Sequence, residues 1–474
     1  MSEKLTRVER DSIGEMNIPV EAYYGVQSMR ALENFLISGY NLRPEMIDSL
    51  AEVKKACAIA NLKAGQISKE IADAIVQACD EILEGQLHDE FIVDPIQGSA
   101  GTSINMNANE VIANRAIEIL GGTKGDYSIV HPNDHVNYGQ STNDVIPTAG
   151  KLTIIKLGNY LLYELNALYD ALMDKANEFD DVIKMGRTQL QDAVPIRLGQ
   201  EFHAYATAVK RTIPNLSHVL GYMHSINMGG TAIGTGINAD EKFFNIIADE
   251  LSAVTGYELH QAEDCIDATQ HIDAFPAVSG AVRTCAIALS KMCNDLRLLS
   301  SGPRCGLGEI NLPAKQNGSS IMPGKVNPVI PEVVNQAAFL CMGNDVTIGL
   351  AAEAGQMELN AFEPITFYCL FNSMEVLTNA IHTLIVNCIE GITANKEYCS
   401  KLVHNSVGII TALVPHIGYQ HAADIAKKAI KTGEPVANLI LAEKLLTKEQ
   451  LDVILDPWNL TKPGISGKEL LHHN

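Results

Sequence analysis

One stripe of aliphatic residues constrains the fold of this chain more than any other feature. Its six members, which follow position 143, are spaced by three or four positions and so fall on one face of a long helix. They are Ile154, Leu157, Leu161, Leu165, Leu168 and Leu172. Similar helical patterns follow at 197–225, 240–256, 271–300, 329–352 and 366–395. Long helices in series predict a bundle, and several strongly apolar faces suit an oligomer.

Composition agrees with a mostly α fold. Hydrophobic residues make up 46% of the chain but aromatic residues only 5%, so we expect a core of aliphatic side chains, as in packed helices. The first stretch, up to about Arg43, is typical of irregular or weakly β structure, whereas 44–85 is helical and 86–142 alternates short helices with polar loops. We therefore predict three domains. They are a mixed, mainly helical N-terminal domain (1–142), a long-helix bundle (143–397) and a small C-terminal helical domain (398–474).

Charge and cysteine content bear on partners and compartment. The formal net charge of −21 argues against nucleic acid or an anionic membrane surface as a partner. The ten cysteines include no CxxC pair, so we interpret most of them as small buried hydrophobic residues of a protein in a reducing compartment. The N-terminus has mixed charges and no apolar targeting segment. We expect a soluble, cytoplasmic protein that binds neither nucleic acid nor membrane.

The segment from Gly318 to Pro328, with the sequence GSSIMPGKVNP, concentrates special chemistry. Two glycines allow unusual backbone conformations and two prolines stiffen the chain, while Ser, Lys and Asn supply a hydroxyl, a cation and an amide. An ordinary surface turn would explain the glycines and prolines but not the three polar functions beside them. We interpret the segment as a mobile catalytic loop.

This loop resembles the defining segment of the aspartase/fumarase superfamily of lyases. Other segments resemble the same family, and together they extend over nearly the whole chain. They are Tyr24–Gln27, Gly98–Glu110, His131–Asn137, Gln140–Asp144, Gly186–Thr188, Gly229–Gly236 and Lys462–Lys468. The resemblance implies a three-domain fold with a long central helical bundle, pooled by four identical subunits. It also implies active sites that take loops from three chains.

Within this family, the segments favour removal of ammonia from L-aspartate to give fumarate, by abstraction of a β-proton through an aci-carboxylate intermediate. The alternative is a class II fumarase, which adds water to fumarate on the same fold. Four parts of the chain resemble the ammonia-lyase pattern and not the fumarase pattern. They are 107–109, 134–137, Ser141 with Thr142, and 329–332. A non-catalytic relative, such as a crystallin of this superfamily, is disfavoured because every matched catalytic residue is present.

The resemblance also implies roles for individual residues. Ser319 would be the base that removes the β-proton. Lys325 and Asn327 would hold the α-carboxylate, and Asn143 and Thr188 the amino group. The other predicted substrate-binding residues are Thr102, Ser141, Thr142, Gln189 and Ser320.

Thr102 and the run from Ser141 to Asn143 offer hydroxyls, an amide and backbone N–H groups. Such a set would stabilise the charge that develops on the carboxylate of the intermediate. The run lies where a helix is predicted to begin, and a helix N-terminus adds a positive field. The run Ser-Thr-Asn-Asp at 141–144 is also typical of an ordinary helix cap, and one geometry serves both purposes.

Three further positions have narrower interpretations. Gln189 stands where many family members carry a His that pairs with a Glu matching Glu332. Gln cannot carry a proton, which argues against such a relay here, so we interpret Glu332 either as structural or as a group outside direct substrate contact. The segment 131–134 is either a second dicarboxylate site, as in related fumarases, or a simple turn. The glycine-rich segment 229–236 lacks the GK[ST] ending of a phosphate loop, so nucleotide binding is not expected. Its glycines would let the backbone approach a neighbouring subunit's site closely.

Motifs for cofactors are absent from the sequence. No HExxH, paired CxxC or EF-hand spacing occurs, so no intrinsic catalytic metal is predicted. The tripeptide Ala-Ser-Gly, from which aromatic amino-acid ammonia-lyases make their prosthetic group, does not occur either. We expect catalysis without a cofactor, with Mg²⁺ as an activator by family analogy.

Overall fold

The computed structural model describes residues 5–471 and confirms a mostly α fold. In that part of the chain, seventeen α-helices alternate with short connections and eight short strands. The helices are α1 Val26–Asn34, α2 Pro44–Ala64, α3 Lys69–Leu83, α4 Thr102–Ile119, α5 Thr142–Glu178, α6 Leu198–Leu220, α7 Glu241–Thr255, α8 Asp267–Gln270, α9 Ala274–Leu299, α10 Val329–Glu353, α11 Glu363–Asn387, α12 Lys396–Asn405, α13 Val414–Ile417, α14 Tyr419–Thr432, α15 Val436–Ala442, α16 Lys448–Ile454 and α17 Pro457–Leu460.

The strands pair two by two instead of forming one sheet. They are β1 Thr6–Arg10, β2 Glu15–Pro19, β3 Ile183–Thr188, β4 Gln191–Arg197, β5 Ser225–Ile226, β6 His260–Gln261, β7 Ile310–Asn311 and β8 Thr393–Ala394. Strands β5 and β6 are parallel, and the other three pairs, β1 with β2, β3 with β4 and β7 with β8, are antiparallel. Two-stranded pairs of this size cannot supply a core, so the core is built by the helices.

The long helices form where the apolar pattern predicts them. Helix α5 has 37 residues, which corresponds to a length of roughly 55 Å. All six members of the aliphatic stripe lie in α5 and are buried. The other five predicted stretches overlap α6, α7, α9, α10 and α11.

Helix α1 corrects the interpretation of the first 43 residues as irregular or weakly β. The β1–β2 hairpin agrees with that prediction, but α1 does not. The first backbone N–H groups of α1 find their acceptors in tertiary structure: Val26 donates to Glu9 at 3.0 Å, and Gln27 and Ser28 donate to Glu110 at 2.8 and 3.1 Å. Because Glu110 lies more than 80 residues further along the chain, the residues of α1 and their neighbours do not predict this helix by themselves.

The chain divides into two compact units that each gather distant segments. The first unit comprises Met1–Leu162, Pro214–Ala286 and Phe339–Leu377. The second unit comprises Tyr163–Ile213, Ile287–Ala338 and Thr378–Asn474. The three domains inferred from the sequence, with boundaries at 142 and 397, stay a prediction.

The C-terminal helices of the second unit build a core against the β3–β4 hairpin. Met185 of β3 is buried in this cluster. The other buried members are Val403, Ile409, Leu413, Ile425, Ala429, Val436, Leu439, Ile440, Leu451 and Ile454. The hairpin is therefore held from one side by the last 70 or so residues of the chain, which matters because its tip carries two predicted site residues.

Helix α11 and the cysteines test two expectations from composition. In the part of the chain that the structure describes, one helical stretch, 363–391, is long and apolar enough to cross a membrane, and 56% of its most apolar window is buried within the protein. Such burial is that of a core helix. All ten cysteines lie in the described range outside any disulfide, and nine of them are buried, as expected for small hydrophobic residues.

Candidate active site

The predicted helix start near Ser141 is confirmed, because α5 begins at Thr142. The Ser141 hydroxyl accepts a hydrogen bond from the backbone N–H of Asn143 at 3.2 Å. The Asp144 carboxylate in turn accepts from the backbone N–H of Ser141 at 2.9 Å. This reciprocal pattern is that of a helix cap, and it fixes the orientation of the first turn of α5.

Asp144 holds a distant segment of the chain as well as capping α5. It is fully buried, and its second carboxylate oxygen accepts from the backbone N–H groups of Gly229 and Thr231 at 3.1 and 3.0 Å. Burial raises the pKa of Asp144 to about 6, although these hydrogen bonds favour the charged form. The glycine-rich segment 229–236 is therefore folded onto the start of α5, with two of its N–H groups donated to a carboxylate of the same chain.

Asn143 is held by two segments of the first unit. Pro147 has no N–H to donate to the Asn143 carbonyl four residues earlier, and the Asn227 side chain donates there instead, at 3.0 Å. The side-chain nitrogen of Asn143 donates to the carbonyl of Ala232 at 2.7 Å. The first bond fixes the backbone at Asn143, and the second orients its side-chain amide.

Thr102 follows a strained turn. Ser99, Ala100 and Gly101 have consecutive positive φ values of 61°, 53° and 87°, and the first two are not glycine. Each such residue costs of order 1–3 kcal/mol and persists only where the surroundings hold it. The Thr102 hydroxyl donates to the carbonyl of Ser99 at 2.8 Å, which ties the first residue of α4 to this turn.

Lys54 of α2 is a fully buried cation connected to the start of α5. Its ammonium donates to the side-chain oxygens of Asn137 and Gln140 at 2.8 and 2.9 Å. The Asn105 side chain donates to the same Asn137 oxygen at 3.2 Å and to the Thr142 hydroxyl at 3.4 Å. Burial lowers the pKa of Lys54 to about 8. One hydrogen-bonded network therefore joins a buried positive charge to a predicted substrate-binding residue.

In the second unit, hydrogen bonds join the two ends of the predicted catalytic loop. The backbone N–H of Gly318 donates to the carbonyl of Lys325 at 2.9 Å, and the Asn327 side chain donates to the carbonyl of Gly318 at 2.6 Å. A Cβ atom at position 318 would lie 2.2 Å from the Lys325 oxygen, so only glycine fits. Residues of the loop border a cavity of about 610 Å³.

Ser319 is half-buried at the start of this loop. Its Oγ accepts hydrogen bonds from the backbone N–H groups of Ile321 and Met322, both at 3.2 Å. Two donors aimed at one hydroxyl oxygen stabilise negative charge there. Ser320 and Lys325 are exposed on the same loop.

Thr188 and Gln189 lie at the exposed tip of the β3–β4 hairpin. Gln189 and Leu190 have positive φ values of 54° and 62°, which makes a two-residue turn of the kind usually formed by Asn-Gly. Neither residue is glycine, so the tip holds local strain. Strand pairing is irregular at Gly186, where a Cβ atom would lie 2.6 Å from the carbonyl oxygen of Val194.

The predicted site residues therefore form one group in each unit. The group in the first unit is Thr102, Ser141, Thr142 and Asn143, and that in the second is Thr188, Gln189, Ser319, Ser320, Lys325 and Asn327. The sequence indicated Asp144 as part of a helix cap, through the S-x-x-D spacing at the helix start, but not its contacts with the glycine-rich segment. Sequence reasoning missed Lys54. A lysine within a helical pattern carries no local sign of burial, so Lys54 had no such signal.

Two other predicted features concern ligand sites. The segment 131–134 enters a single π turn, Pro132–Val136, in which the Nδ1 atom of His131 accepts from the N–H groups of Asn133 and Asp134 at 3.1 and 3.2 Å. This geometry is that of a self-capped turn, and a second dicarboxylate site there stays a prediction. Across residues 5–471, no three His, Cys, Asp or Glu side chains are grouped so that they could hold a metal ion.

Comparison with known proteins finds relatives over almost the whole chain. A family profile described as Lyase matches residues 14–343, and one described as Fumarase C C-terminus matches residues 409–462. An aspartate ammonia-lyase from Bacillus subtilis (strain 168) is 53% identical over 469 residues, which cover 99% of this chain and 99% of that protein. Another, from a Bacillus species, is 52% identical over 463 residues, which cover 98% of this chain and 99% of that protein.

Solved structures share the fold. A "fumarate lyase:delta crystallin" from Brucella melitensis, bound to cobalt, is 50% identical and has a TM-score of 0.94, with 97% of this chain and 100% of that chain covered. A class II fumarase from Schistosoma mansoni is 38% identical and has a TM-score of 0.92, with 96% and 99% covered. The fold is common to both, whereas the sequence is more similar to the two aspartate ammonia-lyases than to this fumarase.

Proposed function

Because the chain belongs to the lyase family that these profiles describe, the aspartase/fumarase superfamily, we propose that its active site removes ammonia from L-aspartate and releases fumarate. The chain is a carbon–nitrogen lyase whose substrate is a small dicarboxylate. Identities of 52% and 53% to aspartate ammonia-lyases, against 38% to a class II fumarase, favour elimination of ammonia over that of water.

The observation that carries the proposed mechanism is the environment of the Ser319 hydroxyl. Serine is a poor base unless its alkoxide is stabilised, and two backbone N–H groups are directed at Oγ. In the proposed step, the Ser319 alkoxide takes a proton from C3 of L-aspartate, and the electron pair of that bond moves into the β-carboxylate. The bond from C2 to nitrogen then breaks, the electron pair leaves with nitrogen as ammonia, and fumarate forms. The proton on Ser319 passes to ammonia or solvent, which restores the base.

The start of α5 suits the β-carboxylate, where charge accumulates in the aci-carboxylate intermediate. The N-terminus of a long helix carries a positive field, and the hydroxyls of Ser141 and Thr142 lie at that point. The buried ammonium of Lys54 adds positive charge through Asn137 and Asn105. In a chain of net charge −21, such local positive charge is needed to attract a substrate with two carboxylates.

The other end of the substrate has matching groups. Of the two N–H groups on the Asn327 side chain, Gly318 uses one, so the second and the Lys325 ammonium would hold the α-carboxylate. The Asn143 nitrogen is engaged by Ala232, which orients its oxygen to accept from the substrate ammonium. We assign Thr188 as the second acceptor, and keep Thr102, Gln189 and Ser320 as further substrate contacts.

The working form is an oligomer, as in this family, and we propose a homotetramer with shared active sites. Helix α10 leaves four large apolar residues of the first unit 43–65% exposed, all on one face. They are Phe339, Leu340, Val346 and Leu350. An exposed apolar stripe of this kind supports burial against other subunits.

We propose that no prosthetic group takes part and that Mg²⁺ acts only as an activator. Abstraction of the β-proton needs hydroxyl, amide and ammonium groups, all of which this chain supplies. The ten cysteines, none of which is in a disulfide, support a cytoplasmic location. Activity that persists in EDTA and rises on addition of Mg²⁺ would agree with this assignment; complete loss in EDTA would contradict it.

The decisive experiment measures the absorbance of fumarate formed from L-aspartate, with L-malate in parallel under the same conditions. Fumarate should appear from L-aspartate at a rate proportional to enzyme. Faster formation from L-malate would establish a fumarase instead and leave the proposed role of Ser319 intact.

A further inference from the structure

Four charged side chains of the second unit, two buried and two partly buried, form a charge cluster outside the proposed substrate contacts. Its members are Lys184, Arg187, Glu201 and Glu309. The Lys184 ammonium lies 2.9 Å from Glu201 and 3.4 Å from Glu309, and the Arg187 guanidinium lies 2.9 Å from the other oxygen of Glu309. Lys184 is 1% exposed and Glu309 is 0% exposed, so neither charge is solvated by bulk water.

Glu309 is fixed by its backbone as well as by its carboxylate. Its N–H donates to the carbonyl of Leu299 at the end of α9, and its carbonyl accepts from the N–H of Asn395 before α12, both at 2.9 Å. From Glu309 the chain passes through β7 to Gly318, where the catalytic loop begins. The base of the arm that carries Ser319 is therefore anchored at Glu309.

Arg187 and Lys184 lie on the other arm. Both belong to β3, and Arg187 is directly followed by Thr188 at the hairpin tip. The β3–β4 pairing is irregular between Met185 and Arg187, and it resumes beyond that step, where Arg187 and Thr188 pair with β4 again. The Glu309 carboxylate adds a constraint across the irregular step, since one of its oxygens faces Lys184 before the step and the other faces Arg187 after it.

Stability alone is a poor explanation for this arrangement. Apolar side chains of similar volume often stabilise a fold as well as a buried ion pair does, because taking charges out of water is costly. What a buried ion pair provides and an apolar contact does not is a directional constraint between two backbone segments. The cluster is also balanced, with two cations and two anions, so loss of one carboxylate leaves a cation without compensation.

We propose that Glu309 is a positioning residue, which sets the hairpin tip bearing Thr188 against the base of the loop bearing Ser319 through its contacts with Arg187 and Lys184. The inference rests on the proposed function in one respect, namely that Thr188 and Ser319 each act on substrate. With active sites shared between chains, the two arms of one chain serve different sites of the oligomer. Through this link, a displacement of either arm is transmitted to the other.

Glu201 provides a matched control within the same cluster. Both Glu309→Gln and Glu201→Gln remove a carboxylate from Lys184 and keep the side-chain size, but only the first breaks the link from Arg187 to the loop arm. We expect Glu309→Gln to lower kcat/KM for L-aspartate by about 10²-fold, through both a higher KM and a lower kcat, as for a misplacement of about 1 Å. Glu201→Gln should change kcat/KM by less than about threefold, even if it lowers the thermal unfolding midpoint as much as Glu309→Gln does.

A double-mutant cycle tests whether Arg187 acts through Glu309. If it does, Arg187→Gln, Glu309→Gln and the double variant should have kcat/KM values within about threefold of one another. Losses that multiply in the double variant, or equal losses in Glu201→Gln and Glu309→Gln, would overturn the proposal and leave the cluster a stabilising element only.

Amide hydrogen exchange gives a readout that does not depend on activity. Glu309→Gln should lose protection in both 186–193 and 310–328, whereas Glu201→Gln should retain the protection of 310–328. Unchanged exchange in 310–328 of Glu309→Gln would refute the link between the arms. If the wild-type protein fails to form fumarate from L-aspartate, the proposed function fails, and the exchange comparison still decides the role of Glu309.

Discussion

Glu363 should make the protein less stable as the pH rises from 5 to 8, and Glu363→Gln should abolish that loss. Glu363 is the first residue of α11 and is 3% exposed. Burial raises its pKa from the ordinary 4.5 to about 8, although the Lys151 ammonium counteracts this in part. The folded protein therefore keeps the proton on Glu363 at neutral pH, whereas the unfolded chain releases it.

The sign and size follow from this difference in proton binding. A raised folded-state pKa contributes stability that is fully present below pH 4.5 and is lost progressively up to about pH 8. At about 1.4 kcal/mol for each pH unit, the loss amounts to about 3 kcal/mol at pH 7 and about 5 kcal/mol above pH 8. Gln has nearly the same shape and does not titrate, so Glu363→Gln should gain these amounts relative to the wild type.

Thermal unfolding between pH 5 and pH 9, at one protein concentration and one scan rate, measures the effect. An unfolding entropy of about 2.1 cal/mol/K per residue gives about 1 kcal/mol/K for 474 residues. The midpoint of Glu363→Gln should therefore exceed that of the wild type by about 3 °C at pH 7 and about 5 °C at pH 9, with near-equality at pH 5. Glu390→Gln, at an exposed position beyond α11, should follow the wild type throughout. Midpoints of wild type and Glu363→Gln that stay parallel from pH 5 to pH 9 would refute the reasoning.

Three further predictions concern catalysis. Ser319→Ala should lower kcat by about 10²-fold to 10⁴-fold with the oligomer intact, as for loss of a positioned base, and wild-type turnover in an intact oligomer would remove Ser319 from the mechanism. Thr188→Ala and Lys325→Ala, each inactive alone, should recover activity when mixed, denatured and refolded together, because mixed oligomers then contain some intact shared sites. Mixed oligomers without activity would mean that each chain builds its own site. The wild-type kcat/KM for L-aspartate should exceed that for L-malate by at least roughly 10³-fold, since a site with acceptors for an ammonium leaves them unpaired on a hydroxyl. Comparable values in the fumarate absorbance assay would contradict this specificity.

Local patterns in the sequence determined the helical architecture and the segments that carry the chemistry. The aliphatic stripe of α5 predicted a long buried helix because helix periodicity depends only on residues three and four positions apart. The cap at Ser141 and the closed loop that begins at Gly318 were also predictable, since each depends on neighbours within about ten residues. The resemblance of these segments to a known family indicated the reaction. Composition by itself only argued against nucleic acid and membranes as partners.

Tertiary structure decided the features whose partners are distant in the chain. Helix α1 begins where it does because Glu110 accepts its first N–H groups, and Asp144 is held by the glycine-rich segment more than 80 residues away. Gln189 adopts a positive φ that its residue type disfavours, so only the surrounding fold can impose the turn at the hairpin tip. Burial of Lys54 likewise cannot be read from α2 alone. A charge or a strained backbone is stable only when the rest of the molecule compensates for it, and that compensation comes from contacts that sequence proximity does not encode.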